Sequence, residues 1–259
     1  VVPGTPEDPA VVMKSVHHLY KLVAGRPNKR PWWYFDTSIQ GEGIVDVATH
    51  LVDLTFWILF PGKPIDYKKD VKVLSSTHWP TELNLKQFEK VTRLSEFPPQ
   101  LKLDKKGKLQ YYCNGRFNFV VNNINAQLQV VWNFQAPEGG GDTHYAIIRG
   151  TKANAIILQG KEQNFRPELY VEPAKGVSEK EVGDALAAFI EKIAKSKYPG
   201  VYVTKEGKYW KINIPDKYRV GHEAHFGQVT DAFLGYLAGK PLPEWEYANL
   251  LAKYYVTTK

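Results

Sequence analysis

The sequence predicts an α+β fold, an open and mainly antiparallel sheet with helices packed on one side, and three observations lead there. Helical patterns occupy both ends of the chain. β-rich segments run consecutively through its middle with short connections. No regular alternation of strand and helix, of the kind that builds a parallel βαβ sheet, is present. With 43% hydrophobic residues, seven Trp and fifteen Tyr, the chain can fill a large core, and residues 1–259 read as one domain without an internal repeat.

Asp8 followed by Pro9 has the form of an N-cap and first helical residue. The apolar spacing of Val12, Val16, Leu19, Tyr20 and Val23, stopped by Gly25, predicts a helix over 9–24. Residues 32–38, aromatic and preceded by Pro31, predict a strand that ends before Gly41 and Gly43. A helix follows that turn. Ile44, Val47, Ala48, Leu51, Leu54 and Ile58 make its apolar stripe, Asp46, His50, Asp53 and Trp57 recur on another face, and Pro61-Gly62 stops it. Residues 71–75 predict a short strand and 83–94 a helix. Next come strands over Leu109–Val121, 127–134, 144–149 and 153–158, whose short connections predict an antiparallel meander. Residues 169–172 add a strand, Ser178 and Glu181 form a capping box opening a helix to Lys195, and Lys205-Glu206-Gly207 turns a hairpin between Tyr202 and Tyr209. Helices over His222–Leu237 and 243–255 close the chain.

Composition removes several function classes. The net charge is +7, but the lysines are scattered, and the one cluster, Lys102, Lys105, Lys106 and Lys108, reads as a solvated loop, so no nucleic-acid partner is expected. The longest apolar stretch, 51–60, falls far short of the roughly 20 residues that span a bilayer, so no membrane span is expected. The single cysteine, Cys113, excludes an internal disulfide framework and any multi-cysteine metal site. Neither Gly139-Gly140-Gly141 nor Gly41-x-Gly43 lies in a βαβ unit with a later ribose-binding acid, so a nucleotide cofactor would take its main site from another domain. The chain opens at Val1 without a charged, then apolar, leader, and any export signal is expected to have been removed or to lie outside it.

Asp46 and His50 are the leading catalytic candidates. Four residues apart on a helix they share a face, and a carboxylate beside an imidazole fixes its tautomer and tunes it for proton transfer. The competing reading is an exposed helix face with Asp46 at the helix dipole. Asp53 reads as a supporting or solvated acid. His144 follows the glycine run at the start of a strand, where it can face a ligand or pair across the sheet. Tyr34 and Asp36 would share one face of their strand, offering an aromatic platform and a hydroxyl-binding acid, against core packing for Tyr34. His222 shares a helix face with His225 and is a candidate substrate contact; without a third ligand, no metal site is expected. His17 and His18 read as structural.

The chain resembles the C-terminal domain of the glucose-fructose oxidoreductase / inositol dehydrogenase / MocA family, and more closely its putative oxidoreductase C-terminal domain branch. The resemblance covers nearly the whole chain. It rests on Val16-His17-His18-Leu19-Tyr20-Lys21, Lys29-Arg30-Pro31 with Tyr34-Phe35-Asp36, Gly41-Glu42-Gly43-Ile44-Val45-Asp46 with Thr49-His50-Leu51-Val52-Asp53, Gly141-Asp142-Thr143-His144-Tyr145 with Arg149-Gly150, and Gly221-His222-Glu223-Ala224-His225-Phe226. It implies an N-terminal Rossmann domain, absent from this chain, that binds NAD or NADP and contributes a catalytic lysine. It further implies that Asp46 and His50 sit under the nicotinamide, with His50 moving the substrate hydroxyl proton and Asp46 positioning it or the substrate.

The expected function is the substrate-binding and oligomerisation domain of an oxidoreductase acting on a sugar, polyol or related carbohydrate. Alone it is expected to bind no cofactor and to be inactive. Two alternatives stand beside it: a domain of an NAD-dependent glycosidase of the same fold, and a noncatalytic carbohydrate-binding or assembly module. An exposed sheet face also predicts a homo-oligomer.

Overall fold

The computed structural model describes every residue except Ala24, and of Val23 and His222 the backbone alone. The elements in chain order are β1 (Val11–Tyr20), the short ribbon β2 (Leu22–Val23) and β3 (Arg26–Pro27), a 3-10 turn (Trp32–Phe35), α1 (Thr37–Gln40), α2 (Ala48–Leu59), β4 (Val71–Leu83), α3 (Leu85–Thr92), β5 (Leu109–Val121), β6 (Ile124–Gln135), β7 (Thr143–Arg149), β8 (Ala153–Gln159), β9 (Glu168–Pro173), α4 (Glu179–Ser196), β10 (Tyr202–Glu206), β11 (Tyr209–Asn213), α5 (His222–Leu237) and α6 (Glu244–Thr258). Nine strands form one open sheet in the order β10-β11-β9-β8-β7-β1-β6-β5-β4, antiparallel at every junction except β1 with β6. Among the described residues no helix is long and apolar enough to cross a membrane.

Two sequence expectations fail at the N-terminal end. Residues 9–24 are not a helix: 11–20 are a central strand, and the end of the expected helix, Ala24, lies outside the described residues. Val11, Met13 and Leu19 are fully buried on one face, while Val12 and Val16 are half-buried on the other. Burial alternates along its first half, with Lys14 exposed, but the half-buried Val12 and Val16 on the second face add apolar residues that coincide with a helical spacing. This strand also breaks the expected meander. It enters between β6 and β7, so the expected pairing of consecutive strands holds for β5-β6 and β7-β8 but not for the middle junction.

Residues 32–38 are likewise not a strand. Pro31 leads into the 3-10 turn, and Asp36 caps α1 by accepting from the Ser38 N–H at 2.9 Å and the Ser38 hydroxyl at 2.6 Å. A helical turn lets the consecutive Tyr34 and Phe35 both enter the core, which a strand forbids; Trp33 is exposed. The strand from Val71 is longer than expected and continues through Leu83, whereas α3, the α4 helix opened by Ser178, the β10-β11 hairpin, α5 and α6 lie where the sequence puts them.

The helices cover one face. Phe56 and Leu51 of α2, Ala252 and Val256 of α6 and Phe88 of α3 pack on Met13, Leu128, Phe117 and Phe119, and α4 covers Val171 and Ile212 farther along the same face. In α2 the buried positions are Ala48, Leu51, Val52, Thr55 and Phe56, so the buried stripe is rotated from the expected one and Leu54 and Ile58 are left exposed. Asp53 is tied to Lys253 of α6 at 2.9 Å, a contact that clamps the two helices.

The sheet bulges where Pro80 of β4 faces Tyr112 and Cys113 of β5, a position where a missing proline N–H costs the ladder nothing. The bulge also interrupts β5-β6 pairing beyond Gly115, and the buried Asn114 repairs the gap. Its Oδ1 accepts from the Trp132 N–H at 2.6 Å, and its Nδ2 donates to the Trp79 carbonyl at 3.0 Å and the Thr81 hydroxyl at 2.9 Å. Asn114→Leu keeps the branched shape and strands those groups, and is expected to cost about 2–3 kcal/mol. Urea unfolding measures it; an unchanged midpoint would show the bulge needs no such repair.

Candidate functional site

The turn of residues 43–47 carries the site. Gly43 lies directly on β5: its N–H donates to the Tyr112 carbonyl at 3.2 Å, and a Cβ there would fall 1.8 Å from the Cys113 carbonyl oxygen. Only glycine permits that approach. From there the chain winds irregularly into α2, with the Ala48 N–H reaching back five residues to the Gly43 carbonyl at 3.4 Å. The regular helix therefore starts at Ala48. Asp46 stands in the turn ahead of it and His50 in its first turn, a looser pairing than the single regular helix the sequence suggests.

Asp46 is half-buried, and burial pushes its carboxyl above the ordinary carboxylate range. Against that act the positive charge of Arg30, then His17 and His50, and a hydrogen bond from the Gln40 amide at the end of α1. His50 is exposed. A carboxyl made reluctant to ionise, next to an accessible imidazole, is suited to holding and passing a proton.

Two members of this group, Arg30 and His17, are not marked for chemistry by their sequence setting. The Arg30 guanidinium lies 4.2 Å over the Tyr34 ring and 5.2 Å from the Trp132 ring, with its Nε donating to the Leu19 carbonyl at 2.9 Å. The His17 ring packs on Trp132 at 4.9 Å, and its Nδ1 is 3.2 Å from Asp142. Asp142 also meets His18 Nδ1 at 3.1 Å and the Lys21 ammonium. Val16 pairs with Thr143, so Asp142 comes opposite His17 where β1 runs past the start of β7, and from that edge its carboxylate can take partners from both strand faces. Burial opposes ionisation there, but the bonds from His17 and Lys21 hold the carboxyl well below its usual range. The doublet His17-His18 and the acid after the glycine run are the sequence signal for this knot. Read as helical, the doublet had no reason to meet Asp142.

The remaining candidates are distributed around this group. Tyr34 is packed in the core beside Tyr111, 5.9 Å between rings, and burial pushes its hydroxyl up to about 12. Asp36 is on the other side of α1, capping it and lining a separate cleft of about 550 Å³. It does not share a face with Tyr34, because the expected strand is absent. His144 Nδ1 lies 2.8 Å from the Ser15 hydroxyl of β1, which is the cross-strand partnership open from the sequence. His222 opens α5, and its side chain lies outside the described residues. Cys113 is buried and its thiol is pushed up to about 12, which leaves it without thiolate reactivity near neutral pH. Among the described residues no three His, Cys, Asp or Glu side chains gather into a metal-binding group.

Burial, with the charge of His17 second, lowers His144 to about 4. In the unfolded chain a histidine titrates near 6.5. Between those values the unfolded chain binds a proton that the folded one refuses, so stability is lost as pH falls from about 6.5 to about 4, by up to ~3 kcal/mol. Below that, protonation of Asp142 removes stability in the same direction. Unfolding midpoints near pH 7 and pH 4.5 are expected to differ less in His144→Gln than in the parent; an equal difference would remove His144 from the account.

A family model described as Putative oxidoreductase C terminal domain matches residues 1–259. Among solved structures, the chain is similar to a putative oxidoreductase from Parabacteroides merdae, with 49% identity and a TM-score of 0.95, covering 99% of this chain and 59% of that one. It is also similar to a putative oxidoreductase from Thermotoga maritima at 15% identity and a TM-score of 0.47, covering 95% of this chain and 50% of that one. A third is KijD10, a 3-ketoreductase from Actinomadura kijaniata solved with NADP and TDP-benzene, at 10% identity and a TM-score of 0.45, covering 95% and 51%. The chain thus spans about half to three-fifths of the length of each of these. No curated protein matches.

Proposed function

The chain belongs to the putative oxidoreductase C-terminal domain family, and from that premise we propose that it is the substrate-binding and oligomerisation domain of an NAD(P)-dependent oxidoreductase acting on a sugar, polyol or related carbohydrate. The observation that carries the reading is Asp46, a half-buried carboxyl raised by burial, set beside the exposed imidazole of His50.

The run Gly139-Gly140-Gly141 does not suit a dinucleotide, because it leads into strand β7 instead of a helix N-terminus. In this reading an N-terminal Rossmann domain holds NAD or NADP, which supplies the hydride acceptor. This chain's own part is the proton. His50 takes it from the substrate hydroxyl as the carbonyl forms, and Asp46 stabilises the resulting imidazolium. Gln40 and Arg30 hold Asp46, and the Asp142-His17-Trp132 stack supports Arg30 from behind. In this reading self-association uses the helix-free sheet face, where the half-buried Val12, Leu158 and Tyr209 surround the buried Ile147, Ile156 and Tyr170.

The test is turnover by the intact protein over a panel of sugars and cyclitols. NAD(P)H should accumulate with one class of polyol, and the isolated chain should give none. Release of free sugar from glycosides without net NAD(P)H would identify the glycosidase of the same fold instead.

A further inference from the structure

The 550 Å³ cleft beyond α1 is not the Asp46 site, and its walls are of a different kind. It is bounded by the α1 turn with Asp36 and Ser38, by Glu42 of the glycine turn, by His78 of β4, and by Gln110 and Tyr112 of β5, with Lys102 at its edge. Its size is within the range of about 300–1,000 Å³ typical of small-molecule sites.

The polar groups in it are arranged, not scattered. Glu42 Oε2 lies 2.5 Å from His78 Nδ1, which leaves Nε2 as the nitrogen that can meet a ligand. The His78 ring packs against Tyr112, 5.0 Å between centroids, although Tyr112 keeps about a third of its surface exposed. The β4-β5 bulge at Tyr112 and Cys113 is what sets this tyrosine beside His78. Asp36 offers Oδ1 to Ser38.

The mixture selects a ligand class. Two carboxylates on the wall disfavour an anion, and amide, hydroxyl and carboxylate groups around the aromatic rings disfavour a purely apolar molecule. Alternating acceptors and donors around an exposed tyrosine face suit a neutral polyhydroxylated ring, whose C–H face lies on the aromatic and whose hydroxyls bond the rim. The geometry points to a second, noncatalytic carbohydrate-binding subsite in this cleft, holding a neutral pyranoside separately from the Asp46-His50 site. The two sites share one backbone segment. Residues 36–46 present Asp36, Ser38 and Glu42 to the cleft and Gln40 and Asp46 to the other group.

The experiment titrates the chain with methyl α-D-glucopyranoside, methyl β-D-galactopyranoside, cellobiose and maltose, followed by amide chemical shifts in NMR. At least one is expected to bind with a Kd on the order of 1 mM, moving the signals of Asp36, His78 and Tyr112. Tyr112→Ala and Gln110→Ala should each weaken that binding about tenfold or more while the remaining spectrum stays folded. His50→Ala should leave it unchanged. Absence of shifts at the cleft with all four sugars overturns the subsite, as does binding indifferent to both cleft variants. The proposed redox role fails separately, through turnover of the intact protein, so the two outcomes are distinguishable.

Discussion

Replacing His50 with alanine in the intact protein is expected to lower kcat by about 10²–10⁴-fold, the usual contribution of a general base. The interest of this variant is that its effect cannot be a folding effect. His50 is exposed in the first turn of α2, so stability should stay within about 0.5 kcal/mol of the parent. Loss of kcat at unchanged thermal midpoint assigns proton transfer to the imidazole. His50→Gln retains polarity without a titratable nitrogen and should behave like alanine. Unaltered turnover in both variants would favour a noncatalytic module.

Gly43→Ala is expected to be the most damaging single-methyl change for stability. The added Cβ would meet the Cys113 carbonyl oxygen at 1.8 Å, and that oxygen belongs to the backbone of β5, a strand held between β4 and β6 that cannot swing aside. Either the turn lifts off β5 or the sheet distorts, and a cost of about 3 kcal/mol or more is expected, at the upper end of overpacking effects. Where the fold survives, the lifted turn carries Asp46 with it, and a displacement of about 1 Å at such a group is worth roughly 100-fold in rate. Gly227→Ala is the control. Gly227 lies inside α5 with nothing within 4 Å of its virtual Cβ, and there alanine should stabilise the helix by up to about 1 kcal/mol. Urea unfolding of both variants is the measurement; a Gly43→Ala midpoint equal to the control's would refute the close approach.

The C-terminal two thirds of the chain were legible because their signals are local. Strand β5 carries alternating burial along Leu109–Val121, Ser178 caps α4 through the Glu181 N–H, and a glycine turns the β10-β11 hairpin. Each of these depends on residues a few positions apart. The N-terminal segment was misread because its conformation is set from far away: Val11 to Tyr20 become a strand through pairing with residues 124–149, and no window of local periodicity contains those partners.

The same division holds for the site. The sequence by itself determined the acid and imidazole of Asp46 and His50, the glycine turn that precedes them and the absence of a nucleotide fingerprint, since all three are short-range patterns. Only the tertiary structure decided which groups surround Asp46. Arg30 reaches it across the β-ribbon, His17 from the middle of the sheet, and Asp142 holds His17 from more than a hundred residues away. The physical reason is that electrostatic environment depends on distance through space, and here that distance was fixed by a central strand inserted between two others.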